Sequence, residues 1–144
     1  MRVRNLKSIK HQRGLGILQW LVVIIVVVVV GKFAFTVVPI YAENVYVQSA
    51  LKSLDSSVEK LENMTDAEIK KKLTNFYLIN NVRSEGPTKN IKIEREADKV
   101  LVTIDYETRE AYLFNMDIIV SFQNHLDSTR PGQCCKPSAT LTSK

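Results

Sequence analysis

The chain has 144 residues and a net charge of +5, from 20 Lys and Arg against 15 Asp and Glu. Basic residues at the extreme N-terminus account for the whole excess, so the remainder of the chain is neutral. A neutral remainder without a basic face excludes nucleic acid as the predicted partner. The length leaves room for one small domain besides any targeting or membrane segment.

An apolar segment at residues 15–38 predicts a transmembrane helix. Every residue from Leu21 to Val30 is Leu, Val or Ile. At a rise of about 1.5 Å per residue the segment spans about 36 Å as a helix, enough to cross a hydrocarbon core of about 30 Å. The run exceeds the apolar region of a secretory signal and no Ala-x-Ala site follows it, which favours an uncleaved anchor. Membrane lipid is therefore a predicted partner.

The charges ahead of this segment predict its orientation. A basic stub at residues 1–14 precedes the apolar helix and contains no acidic residue. Basic residues stay on the cytoplasmic side, so the stub is predicted to be cytoplasmic and the rest of the chain periplasmic, in an inner membrane. The residues that carry this prediction are Arg2, Arg4, Lys7, Lys10 and Arg13.

Two helices are predicted after the apolar segment. Residues 40–61 carry an apolar residue at every third or fourth position, which is typical of an amphipathic helix. Pro39 precedes this helix and either bends or breaks it away from the membrane helix. Thr65 and Glu68 form a capping-box pattern that begins the second helix. The predicted buried stripes are Val47, Leu51, Leu54, Val58 and Leu61 in the first helix, and Ile69, Leu73, Phe76 and Ile79 in the second.

Beyond a predicted turn at Gly86-Pro87, the apolar period changes from 3.6 to 2. Alternating runs near residues 91–94, 100–106 and 116–122 predict three antiparallel strands with one packed and one wet face. The phase breaks between Leu113 and Met116, where a bulge or kink is predicted. The predicted fold is α+β, with a periplasmic domain at residues 39–126 and a polar, disordered tail at 127–144.

The sequence contains no recognisable catalytic, cofactor or metal motif, so the predicted protein is not an enzyme. A membrane-tethered hydrolase is one alternative. The titratable groups that could catalyse its reaction are Asp105, Glu107 and His125. Cys134 and Cys135 are adjacent, which conflicts with ordinary disulfide geometry between them. They are interpreted either as two thiols on a loose tail or as an intermolecular disulfide in an oxidising compartment.

The start of the apolar segment resembles the signal of type IV pilins and pseudopilins. In these proteins a basic stub ends in Gly and an apolar helix follows, with Glu at its fifth position. A cut after Gly14 would make Leu15 the first mature residue, and Gln19 would stand at the fifth position. The resemblance implies processing at this junction and helix packing in a filament. Gln19 departs from the pattern because a neutral amide bonds a neighbouring amine less strongly than a carboxylate does.

A larger part of the chain resembles a domain-of-unknown-function family of short single-span inner-membrane proteins from proteobacteria. The resemblance extends from about Gln12 to Gln123, and four stretches carry it: QRGLGILQW, the VPxY at residues 38–41, the NFYLI that ends the second helix and the strand VTIDYE at 102–107. Family members tend to be encoded beside signal peptidase I. This resemblance implies an accessory role around protein export or processing, with signal peptidase I as a candidate partner and no cofactor.

The predicted function is therefore a membrane-anchored accessory protein whose periplasmic domain binds other proteins. An edge of the sheet and the wet face of residues 47–61 are the predicted contact surfaces. A minor pilin-like subunit is the alternative.

Overall fold

The apolar segment forms the first half of one long helix. The computed structural model describes residues 16–58 and 60–135, and helix α1 spans Ile17–Asp55 with Pro39 inside it. The large apolar side chains of the first half are exposed, apart from Val37, which is partly buried. The helix is long and apolar enough to cross a membrane, which supports membrane anchoring on length and composition.

The second half of α1 buries one face. Proline removes one backbone donor, yet the helix continues through Pro39, which resolves the choice between a break and a continuous helix. The helix ends at Asp55, so Val58 lies beyond it and is fully exposed. The predicted stripe is therefore wrong at its end. The buried residues of α1 are Ile40, Asn44, Val47, Ala50, Leu51 and Leu54.

Helix α2 spans Asp66–Ile79 and follows a short 3-10 turn at Leu61–Asn63. The predicted capping box is confirmed. The Thr65 hydroxyl accepts from the Glu68 amide at 3.3 Å, and the Glu68 carboxylate accepts from the Thr65 amide at 2.7 Å. The backbone hydrogen bond from Thr65 lowers the pKa of Glu68.

The buried face of α2 differs from the predicted one near the helix end. Ile69 and Leu73 are buried as predicted, but Tyr77 is the third buried residue and Ile79 is exposed. The spacing of four residues from Leu73 to Tyr77 keeps both side chains on the face that packs against α1.

The sheet contains β1 (Ile91–Glu96), β2 (Lys99–Leu113) and β3 (Met116–Asp127) in the order β1-β2-β3. Both pairings are antiparallel, so the predicted α+β fold is confirmed. The predicted turn at Gly86 is instead part of a five-residue helix, α3 (Glu85–Lys89). A Cβ atom at Gly86 would lie 2.9 Å from Cδ2 of Tyr106, so glycine allows α3 to approach β2.

The core lies where α1 crosses β2 and β3. The inner face of β2 contributes Val102, Ile104 and Tyr106, all buried. The outer face was expected to be wet. Glu107 is exposed there, but Thr103 and His125 are buried, so the expected alternation holds only toward the distal end of the strands.

Strands β2 and β3 extend beyond the third strand as a two-stranded arm. β1 starts at Ile91 opposite Ile104, and from residue 105 onward β2 pairs with β3 alone. We call β2 residues 105–113, β3 residues 116–123 and the turn between them the hairpin arm. An irregularity was predicted between residues 113 and 116. The structure has the turn there, and the register shift falls one residue earlier, at Tyr112.

Residues 128–135 fold back onto the domain, contrary to the predicted disordered tail. The Ser128 amide donates to the carbonyl oxygen of Val100 at 3.0 Å, and the Gly132 amide donates to the Asp55 carboxylate at 2.9 Å. These hydrogen bonds hold the segment against the domain, although its side chains are too polar for the hydrophobic effect to bury them. The remainder of the predicted tail, residues 136–144, lies outside the described residues.

Candidate protein-binding surface

Strand β3 forms one edge of the sheet, and the side of its backbone that faces away from β2 is unpaired. On that side the described residues reach β3 at a single point, where the His125 amide donates to the carbonyl oxygen of Cys135 at 3.5 Å. Residues 116–124 therefore form an open edge, which we call the β3 edge. An unpaired strand edge is a template on which an extended segment of another chain can add.

The side chains of the β3 edge alternate between the two faces of the sheet. Ile119 is half-exposed on the outer face. Next to it, the Ser121 hydroxyl donates to the Glu107 carboxylate at 3.1 Å. Phe122 faces inward, is buried, and meets the ring of Tyr41 edge-on at a centroid distance of 5.4 Å. The edge thus offers an apolar side chain and polar groups outward, while its inner face is fixed to α1.

A buried polar network fixes this part of the sheet to α1. The Asn44 side-chain oxygen accepts from Asn124 Nδ2 at 2.8 Å and from the Tyr106 hydroxyl at 3.3 Å. Asn44 and Asn124 are almost completely buried. A buried amide is tolerated when it is hydrogen-bonded, so these three residues set the position of α1 against β2 and β3.

The environment of Tyr106 keeps its phenol protonated. Burial raises the pKa of Tyr106, and the negative charge of Glu43 raises it further. Glu43 in turn accepts from the Arg83 amide at 2.8 Å and from the Ser84 hydroxyl at 2.5 Å. The carboxylate therefore joins α1 to the segment that enters α3.

A cleft of about 460 Å³ opens between α1, this segment and the hairpin arm. Its walls carry charges of both signs together with apolar groups from α1. The lining residues include Phe35, Thr36, Glu43, Arg83 and Glu110. Glu110 and Thr36 line the same cleft, so a charged residue of the domain reaches this part of α1.

The family comparison matches this domain. A family model described as a domain of unknown function, DUF4845, matches residues 36–122, more than half of the chain. The chain belongs to the DUF4845 family. No curated protein and no solved structure matches the chain. The predicted resemblance to a domain-of-unknown-function family is therefore confirmed.

The limits of the DUF4845 match coincide with structural features. It begins at Thr36, near the end of the exposed apolar half of α1, and closes at Phe122 within β3. The match therefore includes two members of the buried network, Asn44 and Tyr106, and most of the β3 edge. It leaves out the apolar half of α1 up to residue 35.

The residues singled out near the N-terminus lie mostly outside the described part of the chain. Gln19 lies in the first turn of α1 and is exposed. The orientation residues and the predicted cleavage junction, Gly14-Leu15, lie outside the described residues, so their roles stay predictions. The orientation residues are Arg2, Arg4, Lys7, Lys10 and Arg13.

The cysteines of this DUF4845 protein require a correction. Cys134 and Cys135 form a disulfide with each other rather than with another molecule. Cys135 is buried, and its sulfur lies 3.5 Å from the carbonyl oxygen of Gln48 in α1. The sequence argument failed because it took the tail to be loose, whereas packing of residue 135 against α1 places both cysteines in an ordered segment.

The titratable residues proposed for a hydrolase are only partly brought together. His125 Nε2 lies 3.0 Å from the Asp105 carboxylate, and the His125 side chain is almost completely buried. Glu107 is instead hydrogen-bonded to Ser121. Within residues 16–58 and 60–135, no group of three His, Cys, Asp or Glu side chains could hold a metal ion.

Sequence reasoning missed the buried network. Its signal was present, because Asn44 occupies a stripe position four residues after Ile40 and three before Val47. A polar residue in an apolar stripe requires a buried partner. The partners themselves, Tyr106 and Asn124, lie 62 and 80 residues away in the chain, and a local pattern cannot identify them.

Proposed function

We propose that this protein is a non-enzymatic accessory protein anchored in the inner membrane by α1. Its domain faces the periplasm and binds an extended segment of another protein along the β3 edge. The single observation that carries the proposal is the open backbone of residues 116–124. The basic residues before α1 support the proposed orientation.

Strand addition suits the dimensions of this edge. Nine residues at about 3.3 Å each offer roughly 30 Å of strand. Every second residue directs its amide and carbonyl groups outward, and each hydrogen bond contributes about 1 kcal/mol net. Backbone pairing provides affinity without a sequence requirement, while Ile119 and its neighbours provide selectivity. The partner is a protein of the membrane or periplasm, and signal peptidase I is the candidate that the family resemblance names.

Photo-crosslinking in native membranes tests this surface. A photoreactive amino acid at Ser121, on the β3 edge, is expected to give a defined adduct with one partner. The same group at Lys70, on the exposed face of α2, is the matched control and is expected to give none. Adding Ile119→Lys should abolish the Ser121 adduct, because lysine on an edge strand opposes strand addition. Equal adducts from Ser121 and Lys70, or an adduct that survives Ile119→Lys, would contradict the proposal.

A pilin-like subunit is the second candidate, and the shape of α1 favours it. One continuous helix exposes its apolar half and packs its other half on an antiparallel sheet, which is similar to the order of elements in pilins. In this case the chain is cut after Gly14. The intact mass of protein extracted from its native membrane decides the question. Loss of residues 1–14 with a methylated Leu15 supports the subunit, and a full-length mass contradicts it.

A further inference from the structure

The end of the hairpin arm touches the apolar half of α1, far from the core of the domain. The Tyr112 hydroxyl donates to the carbonyl oxygen of Val29 at 2.7 Å. The Tyr112 ring meets the Phe33 ring edge-on, with centroids 5.9 Å apart. Both partners precede the first buried residue of α1, Ile40. The arm therefore extends alongside the helix segment proposed to lie in the membrane.

Two large apolar side chains flank Asn115 at the turn and are uncovered. Phe114 is 100% exposed, and Met116 is 54% exposed. Phe114 has φ of 51°, a conformation that bulky residues rarely adopt. We call residues 112–116 the arm tip. Single exposed apolar residues are common and need no explanation. The arm tip, however, is continuous with the exposed apolar surface of α1. Large continuous apolar patches mark interaction sites.

The position of the arm tip along α1 limits its depth in a bilayer. At about 1.5 Å per residue, Val29 lies about 5 Å below Lys32 and about 10 Å below Thr36 along the helix axis. Lys32 can extend its ammonium toward the headgroups, and Glu110 shares a cleft with Thr36. A charged carboxylate stays out of hydrocarbon. The hydrocarbon boundary on the domain side therefore falls between Lys32 and Thr36.

The strands give an independent limit. Asp117 pairs with Arg109 at 3.8 Å, and both side chains are exposed. Asp117 is three residues from Phe114, so the chain between them spans at most about 10 Å. With this ion pair at the headgroups, Phe114 reaches up to about 10 Å below it, the depth at which interfacial segments bury their apolar side chains. Deeper insertion is excluded because an open strand edge in hydrocarbon leaves backbone groups unsatisfied.

We propose that the arm tip is a second membrane contact, which inserts into the headgroup–acyl boundary of the bilayer that holds α1. Tyr112 supplies an aromatic ring with a polar end, the chemistry found at membrane interfaces. Phe114 and Met116 supply the apolar contact with acyl chains. Two contacts fix the rotation and tilt of the domain, so the β3 edge stands at a set height above the lipid. The inference rests on the proposed anchoring by α1.

Depth-dependent fluorescence tests the insertion, because Trp20 is the single tryptophan of the chain. The full chain is reconstituted into phosphatidylcholine vesicles with or without bromine on the acyl chains. In the variant Trp20→Phe/Phe114→Trp, the indole at position 114 should lose about half of its emission in brominated lipid, as expected for an interfacial side chain. The matched control, Trp20→Phe/Ala97→Trp, places an exposed indole in the turn at the opposite end of the sheet and should show no quenching.

The unmodified chain separates the two proposals. Quenching of Trp20 without quenching at position 114 overturns insertion of the arm tip and leaves the anchor intact. Absence of quenching at Trp20 overturns the anchor and the insertion together. Equal quenching at positions 114 and 97 also overturns the inference, because the domain would then lie on the membrane without a preferred contact. Folding is not at issue, since the Phe114 and Ala97 side chains are both exposed.

Discussion

The two halves of α1 have the same backbone geometry and opposite environments. In residues 17–38 apolar side chains point in every direction, and the large ones other than Val37 are exposed. In residues 40–55 apolar side chains recur every three or four positions, and only that stripe is buried. Because a helix satisfies its own backbone, lipid can solvate the first half wherever the arm tip does not cover it, whereas the second half requires a specific partner surface.

Polar side chains follow the same division. In the first half, the Thr36 hydroxyl donates to the carbonyl oxygen of Lys32 at 3.0 Å, within one helical turn. In the second half, Asn44 depends on two side chains from the sheet. The first half is locally self-sufficient, and the second half depends on tertiary structure. Substitutions in the two halves should therefore differ sharply.

The largest expected difference is between Leu51→Ala and Val26→Ala. Leu51 is completely buried, and loss of a buried leucine leaves a cavity that costs about 2–5 kcal/mol of the free energy of unfolding. Val26→Ala should change it by less than about 0.5 kcal/mol, since its side chain contacts no part of the domain core. Urea unfolding of the full chain in detergent micelles, followed by tyrosine circular dichroism, measures both. Similar losses for the two variants would contradict the division of α1.

The next effect concerns the polar residues. Asn44→Ala leaves the Asn124 amide and the Tyr106 hydroxyl without their buried acceptor, which should cost about 1–3 kcal/mol. Thr36→Ala removes a local hydrogen bond and should have a much smaller effect. The same unfolding measurement applies. Unchanged stability of Asn44→Ala would contradict a structural role for the network.

Acid should destabilise the domain and leave the membrane helix inserted. Burial alone would raise the pKa of Asp127, but hydrogen bonds from Thr129 and Lys99 outweigh it and lower the pKa to about 2. A lowered pKa stabilises the fold above the ordinary value of 3.8, and this contribution is lost as the pH falls toward 2. The loss should be about 2 kcal/mol. Between residues 17 and 38 only Lys32 is charged, and it stays charged in acid.

Unfolding measured from pH 5 to pH 2 checks this sign. The unmodified chain should lose stability most steeply below pH 4. Asp127→Asn should be less stable at pH 5 and should show a flatter pH profile. Membrane association, measured by flotation of vesicles at both pH values, should not change. A parallel slope in Asp127→Asn would assign the acid sensitivity to other carboxylates.

The parts that could be predicted from the sequence are those determined by local interactions. The capping box of Thr65 and Glu68 needs only residues three apart, and it is confirmed. The alternation of β2 likewise predicted a sheet, because the period of a strand is a local property. The end of α1 at Asp55 is different. In the sequence the apolar spacing continues to Leu61. The helix ends earlier, at Asp55, because the chain turns there to bring α2 onto α1.

The candidate site was less predictable for the same reason. An edge strand was expected as a contact surface, but which edge stays open depends on the lengths of all three strands. The β1 strand has six residues and β2 has fifteen, so the distal half of β2 has β3 as its only partner. The contact of Tyr112 with Val29 joins residues 83 positions apart. No local pattern at residue 112 indicates that the arm reaches the membrane helix.

The smallest expected effect is in α2, which packs against α1 and is joined to β1 by the Asp66–Arg95 ion pair. Thr65→Ala removes the acceptor for the Glu68 amide and should cost about 1 kcal/mol of the free energy of unfolding. Glu68→Gln keeps an acceptor for the Thr65 amide and should cost less, because only the charge contribution at the helix start is lost. The comparison of these two variants separates the hydrogen bond from the charge. If both also shifted the quenching of Trp20 in brominated vesicles, α2 would be coupled to the membrane half of α1. Because the membrane half of α1 does not depend on the packing of α2, we expect no shift in the quenching of Trp20.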